Sequence, residues 1–177
     1  LPSLGDNTGD LDRLKKALAP QLDGVMPMVP YQRLSKVAVR FRAAGFTGVA
    51  IINDMLGTPV LVDFLPQLPP VLAGMALDLG TTHLEATLVD LTTGAVLARA
   101  DLENGQIRYG ADILTRIHHA AKDEGLAELH RAIIDSVNQL AAELAGAAGL
   151  AVAEIRALSV SGNTSMVHFF LNINPYH

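Results

Sequence analysis

Ala76-Leu77-Asp78-Leu79-Gly80-Thr81-Thr82 is the stretch on which the reading of this chain turns. An apolar run carries a single acid, breaks into Gly-Thr-Thr, and gives way to a second strand-like run from Leu84 to Leu91. A tight turn of that composition can aim several backbone N–H groups and two hydroxyls at one point, which suits a phosphate oxygen. Gly80 has no Cβ to block close approach. Asp78, just ahead of the turn, offers the oxygen chemistry that Mg²⁺ prefers, directly or through water. The same residues also make an ordinary hairpin with a buried, satisfied aspartate, and short Gly-Thr motifs arise often by chance. Both readings stand at this point.

Downstream, Thr87 to Ala98 reads as strand, Gly94 turn, strand, so three consecutive antiparallel strands end near Leu102. Gly105 to Gly110 reads as a loop, followed by a short helix from Ala111 with Ile113, Leu114 and Ile117 inward. A longer helix carries Leu126, Leu129, Ile133, Val137, Leu140 and Leu144, spaced 3, 4, 4, 3 and 4 residues apart, with Gly146 and Gly149 closing it. Ile155 to Val160 is a short, mostly apolar run, as for a strand buried in a sheet. Ser161-Gly162-Asn163-Thr164 then turns into a last helix with Met166, Val167, Phe169, Phe170 and Leu171. That turn joins a strand's C-terminal end to a helix N-terminus, a place where ligands and anions collect in α/β sheets. Asn163 or Thr164 equally serves as the helix cap. Asn104 to Asp112 is a polar loop whose final carboxylate is stabilised by the helix dipole, whatever else it does. His118 and His119 are adjacent and face different ways, and His130 and His168 have no partner at ligand spacing, so all four read as structural or solvent-facing.

Ahead of the first strand, Pro66, Pro69 and Pro70 interrupt both helix and central strand, marking an extended linker over 66–71. Residues 1–65 form a small α+β module, and 72–177 the second domain. In the module, Asp6-Asn7-Thr8 offers caps for a helix with Leu11, Leu14 and Leu18 inward, ended by Pro20. Gln21 to Val29 reads as loop. Pro30 opens a second helix with Tyr31, Leu34, Val37, Ala38 and Phe41 inward, stopped at Gly45. Gly48 to Met55 and Thr58 to Phe64 are strand-like across Gly57, with Asp54 and Asp63 read as solvated hairpin acids.

Composition narrows the classes. The 177 residues are 50% hydrophobic with a net charge of −5, and their scattered Lys and Arg make no nucleic-acid or basic membrane surface. No apolar run approaches the ~20 residues of a membrane span, and no signal peptide is visible. Zero cysteines rule out disulfides and thiolate-held zinc or iron–sulfur clusters within the chain, in keeping with a cytoplasmic protein. A start without Met and an end directly after an apolar helix lead to the expectation of a piece of a longer protein.

Three motifs in order carry a family resemblance: Leu77 to Thr82; N-G-Q-I-R-Y-G-A-D-I-L-T-R-I from Asn104 to Ile117; and Ser159-Val160-Ser161-Gly162-Asn163-Thr164-Ser165-Met166. They resemble the ATP-dependent reductive activators of corrinoid proteins, whose typical sequence reads D-I-G-T-T-T, N-P-Q…Y-G-A-D-V-I-S-R-I and V-G-N-T-T-M. Gly105 stands for the family's Pro, His83 for the third Thr and Ser161 for a Val. Leu4 to Leu18 and the helix–hairpin module resemble the family's middle domain, so the likeness spans nearly the whole chain.

The resemblance implies an incomplete actin-like (ribonuclease H-like) α/β subdomain with a mixed sheet, preceded by the small α+β module. It implies an ATP site with Asp78, Gly80, Thr81, Thr82, Gly162, Asn163 and Thr164 around the phosphates, and Mg²⁺ near Asp78. It implies use of ATP to drive electrons uphill from an iron–sulfur cluster to a Co(II) corrinoid, restoring Co(I) for methyl transfer. The partner would be a corrinoid protein or corrinoid-dependent methyltransferase; a homodimer is left open. The cluster domain and the second half of the actin-like domain have no counterpart here, so the piece alone should not complete the reaction. Two other readings are a small-molecule kinase of the same superfamily, which needs a catalytic Asp to deprotonate an acceptor hydroxyl, and a non-catalytic module docking a corrinoid protein through Asn104 to Asp112.

Overall fold

The computed structural model describes residues 5–176. Leu1 to Leu4, counted above in the first module, and His177, ending the second domain, lie outside them. Contacts divide the chain into two units that meet between Pro70 and Val71.

The first unit holds helix α1 (Asp10–Leu18), helix α2 (Tyr31–Ala43) and a two-stranded antiparallel sheet of β1 (Val49–Met55) and β2 (Thr58–Leu65). The hairpin turn places Leu56 and Gly57 at φ +53° and +82°, the pair of positive values that matches the twist of the flanking strands. Val37 and Phe41 of α2 pack with Leu61 and Phe64 of β2 and Leu14 of α1. Phe41 meets Phe46 and Phe64 edge-on at 5.1 Å each, a geometry that adds about 0.5–1.5 kcal/mol per pair beyond burial.

Four details differ from the sequence reading. Gly9, not a side chain of Asp6-Asn7-Thr8, stands at the start of α1, while Asp6 accepts the Thr8 N–H and an Arg13 hydrogen bond. Tyr31 is 85% exposed, because it is the first residue of α2 and precedes the packed turns. Residues 21–29 are not all loop: a 3-10 turn spans Ala19–Leu22, and Met28 pairs with Val60. Asp63 is not solvated. It is buried and ion-paired with Arg40 at 2.5 Å, and it accepts the Phe64 N–H. A carboxylate leaves water only with such partners.

The second unit is a mixed four-stranded sheet, order β5-β4-β3-β6, with helices. Strands β3 (Ala73–Leu79), β4 (His83–Asp90) and β5 (Val96–Glu103) run antiparallel in sequence, and β6 (Ile155–Gly162) lies parallel to β3. Alternation decides the faces. Met75, Leu77 and Leu79 of β3 and Leu84, Ala86 and Leu88 of β4 are buried in the core with helix α4 (Gly125–Ala147). Leu129, Ile133, Val137, Leu140 and Leu144 supply its buried stripe, each large side chain worth roughly 1.5–3 kcal/mol of burial. The other sheet face presents Ala76, Asp78 and Glu85, all exposed.

Here too the structure adjusts the reading. Residues 105–109 form a 3-10 helix, not an open loop, and helix α3 spans Ile113–Ala120 with Asp112 as its cap. Leu114 is 69% exposed, and Arg116 is the side chain on the buried face. Gly146 lies within α4, and Gly149 at φ +68° turns the chain after it. Strand β6 is not buried: Leu158 is 48% exposed, since β6 has a hydrogen-bonded neighbour on one side only among the described residues. Helix α5 (Thr164–Phe170) buries Met166 and Phe169.

Candidate functional site

Strand β3 ends at Leu79, and the chain reverses through Gly80, Thr81 and Thr82 into β4. A Cβ on Gly80 would stand 2.1 Å from the His83 carbonyl oxygen, so the tightness of the turn itself demands glycine. Parallel pairing sets Asp78 opposite Ser161 and Leu79 opposite Gly162, which brings the end of β6 beside the turn. A Cβ on Gly162 would lie 2.8 Å from that of Leu79, so the close approach of the two strand ends needs this glycine as well.

Three consecutive carbonyls of the turn are held from one side. Asn104 Nδ2 donates to Gly80 O at 2.8 Å, Arg116 Nη2 donates to Thr81 O at 2.8 Å, and the Asn104 N–H donates to Thr82 O at 2.8 Å. All described peptides are trans, and in a planar trans peptide the N–H points opposite to the C=O. The Thr81 and Thr82 N–H groups therefore face away from Asn104 and Arg116. Neither has an acceptor among the described residues. Binding a carbonyl from behind also polarises its peptide and strengthens the N–H on the far side.

The holders are themselves fixed. Asn104, Gln106 and Arg116 are each 0% exposed. Asn104 Oδ1 accepts the Gln106 N–H, and Gln106 Nε2 donates to Leu129 O at 2.8 Å. Arg116 Nε donates to Gly110 O at 2.8 Å, while Nη1 reaches Gln106 Oε1 at 3.3 Å and Met166 Sδ at 3.6 Å. Burial pushes the guanidinium pKa down, opposed by the charge of Asp112; an arginine keeps its proton under such shifts. Sequence reasoning did not single out Arg116. Its signal was position: three residues after Ile113 and four before Ala120, it falls on the inward face of α3.

Asp78 is exposed, which removes the reading of this stretch as a hairpin with a buried, satisfied aspartate. Among the described residues its Oδ1 accepts a long bond, 3.3 Å from Ser161 Oγ. A depression of about 210 Å³ beside it is lined by Asp78, Glu85, Thr87, Ser159 and Ser161 among others. Among the described residues, no cluster of three or more His, Cys, Asp or Glu can hold a metal. A divalent cation here would rest on the Asp78 carboxylate, with other oxygens from water or phosphate, a donor set that suits Mg²⁺.

Asn163 joins the same place. Its Oδ1 caps α5 through the Met166 N–H at 3.0 Å, and its Nδ2 reaches Thr81 Oγ1 at 3.3 Å. Thr164 is the first residue of α5 and is exposed. Asp112 caps α3, accepting the Thr115 N–H at 2.9 Å and the Thr115 hydroxyl at 2.8 Å; these bonds, the backbone one first, hold its carboxyl below the usual range. His118, His119, His130 and His168 sit outside this constellation. His119 Nε2 lies 2.7 Å from Glu128 Oε2, His130 Nδ1 is 3.2 Å from Phe169 O, His168 Nδ1 is 2.7 Å from Thr164 O, and His118 is exposed.

Residues 73–177, in the second unit and not in the helix–hairpin module likened above to the family's middle domain, match a family model described as the RACo middle region. The chain is 28% identical over 173 residues to the corrinoid activation enzyme RamQ of Eubacterium limosum, covering 96% of this chain and 28% of that protein. A solved structure, a reductive activator for a corrinoid, iron–sulfur protein, superposes with a TM-score of 0.79 at 31% identity, over 99% of this chain and 28% of its own. The chain thus spans between a quarter and a third of the length of the relatives it matches. No described helix is long and apolar enough to cross a membrane.

Proposed function

Because this chain belongs to the RACo middle-region family, we propose that it is one part of an ATP-dependent activator that drives reduction of a Co(II) corrinoid to Co(I) in a partner corrinoid protein or methyltransferase. We read the second unit as the first half of an actin-like (ribonuclease H-like) domain, and the first unit as the linker module ahead of it. The sheet order β5-β4-β3-β6, with one parallel strand added to three antiparallel ones, supports that assignment. The similarity to a reductive activator and to RamQ supports the reaction class.

One observation carries the site: three turn carbonyls are tied from behind, so two free N–H groups and the Thr81 and Thr82 hydroxyls lie beside an exposed carboxylate. Oriented amides of this kind bind phosphate oxygens. Thr81, Thr82 and the peptide after Gly80 would hold a terminal phosphate, Asp78 would hold Mg²⁺ through water, and Asn163, with Gly162 and Thr164 flanking it, would report the occupant to α5. When bound, Mg²⁺ supplies charge neutralisation for the phosphate oxygens. An iron–sulfur cluster held by thiolates has to sit elsewhere, as this chain contains no cysteine.

The test is Asp78→Ala in the intact protein that carries this chain. We expect loss of Mg²⁺-dependent ATP turnover and of corrinoid reduction, with a melting temperature close to wild type, because Asp78 is exposed and weakly bonded. Undiminished turnover removes the reading. Phosphate passed to a small-molecule hydroxyl, with no corrinoid reduction, moves it to a kinase.

A further inference from the structure

Arg116 is a full positive charge sealed inside the second unit. It is 0% exposed, and its hydrogen-bond partners are neutral: Thr81 O, Gly110 O, Gln106 Oε1 and Met166 Sδ. None of the ion pairs among the described residues includes it. Carboxylate acceptors would neutralise a buried guanidinium far better than carbonyls do. Asp112, whose charge does act on Arg116, spends both carboxylate oxygens on Thr115.

One bond of Arg116 leads to the turn. Through Nη2 it is bonded to Thr81 O, the carbonyl of the peptide whose N–H, that of Thr82, faces away without an acceptor. We infer that Arg116 is the positioning residue of an anion site at the Gly80–Thr82 turn: it orients the Thr82 N–H outward and supplies the buried positive charge that a polyphosphate completes. The inference rests on the reading of this turn as a phosphate site and adds the group that gives it charge selectivity. Arg116 touches no ligand. It acts through the Thr81–Thr82 peptide and through a field little screened by water. The same side chain holds Gly110 and touches Met166, so turn, α3 and α5 share one support.

The experiment uses the intact protein and three probes: ATP, inorganic tripolyphosphate and adenosine. Arg116→Gln should weaken ATP and tripolyphosphate on the order of tenfold or more, while adenosine affinity stays at the wild-type value. Arg116→Lys, which keeps the charge and loses the fork, should recover part of the polyphosphate affinity. A purely structural arginine would lower the melting temperature and leave the ratio of ATP to adenosine affinity unchanged, and that result overturns the inference. If Arg116→Gln does not fold, Asp112→Asn gives the test with opposite sign. Asparagine keeps the cap, and removing the opposing charge should tighten tripolyphosphate at low salt; no change or weakening overturns the inference. Tripolyphosphate binding that depends on Arg116, with no binding of ATP, leaves the anion site standing and removes the nucleotide reading. A wild-type protein that binds neither polyphosphate removes both.

Discussion

The first unit buries Asp63 and answers it with Arg40; the second buries Arg116 and answers it with carbonyl oxygens. In the first case, charge meets charge, and the Phe64 N–H takes a further lone pair. The carboxylate faces a full opposite charge, and the pair ties α2 to β2 within one small core. In the second case the hydrogen bonds are satisfied and the charge is not. A buried ion without a counter-ion is expensive, so such an arrangement is informative where its field emerges at a surface turn with unused N–H groups. Closure marks a structural device, and an open charge beside free donors marks a binding one.

The largest expected effect tests closure. Arg40→Met removes the Arg40 guanidinium from the 1%-exposed Asp63 carboxylate, and should cost about 2–4 kcal/mol, somewhat less than the ~3–5 kcal/mol of breaking a fully buried pair, because Arg40 itself is partly solvated. Asp63→Asn should cost less, since Arg40, 37% exposed, can turn to water. Chemical denaturation of both variants reads the asymmetry. Neither should alter nucleotide affinity in the intact protein. Equal losses, or a changed affinity, would break the contrast between the units.

A smaller effect tests openness. Asn163 caps α5 with one atom and reaches Thr81 with another. Asn163→Ala should lower stability by about 1 kcal/mol, the usual value of a lost cap, yet weaken ATP turnover and corrinoid reduction by more than that loss explains. Asn163→Ser, which restores a cap and cannot span to Thr81, separates the two roles. Full activity in the serine variant would return Asn163 to capping alone.

Local pattern made much of this legible. The 3,4 spacing of α4 fixes a stripe regardless of context, and Gly80 and Gly162 sit where strand ends crowd together. Asn163 sits at a strand–helix junction, where the sequence alone shows its capping role. What stayed hidden depends on tertiary neighbours. Asp63 reads as solvated because acids usually are, and only Arg40, from another element, reverses that. Arg116 draws its acceptors from Thr81, Gln106 and Gly110, which the sequence scatters and the fold collects. Leu114 was misplaced for the same reason: hydrophobicity alone assigned it the face that Arg116 holds. The apolar letters of β6 suggested a central strand, while edge position is a property of what pairs with it.

The smallest effect concerns Asp112, whose charge acts on Arg116. In the folded chain Asp112 accepts the Thr115 N–H and hydroxyl, and its pKa lies below the usual carboxylate range. A depressed folded pKa means that the unfolded chain binds more protons. The carboxylate therefore adds stability above the unfolded pKa, and that contribution is lost as pH falls through the folded one. Asp112→Asn keeps a cap and removes the titration. Melting curves between about pH 2 and 7 should then show the wild type more stable near neutrality, with the gap narrowing as acid protonates Asp112. A gap that holds constant with pH would mean that Asp112 acts on α3 as a neutral cap does. Its charge would then be no counterweight to Arg116, and the second unit's open charge would be larger than the i,i+4 spacing of the two residues suggests.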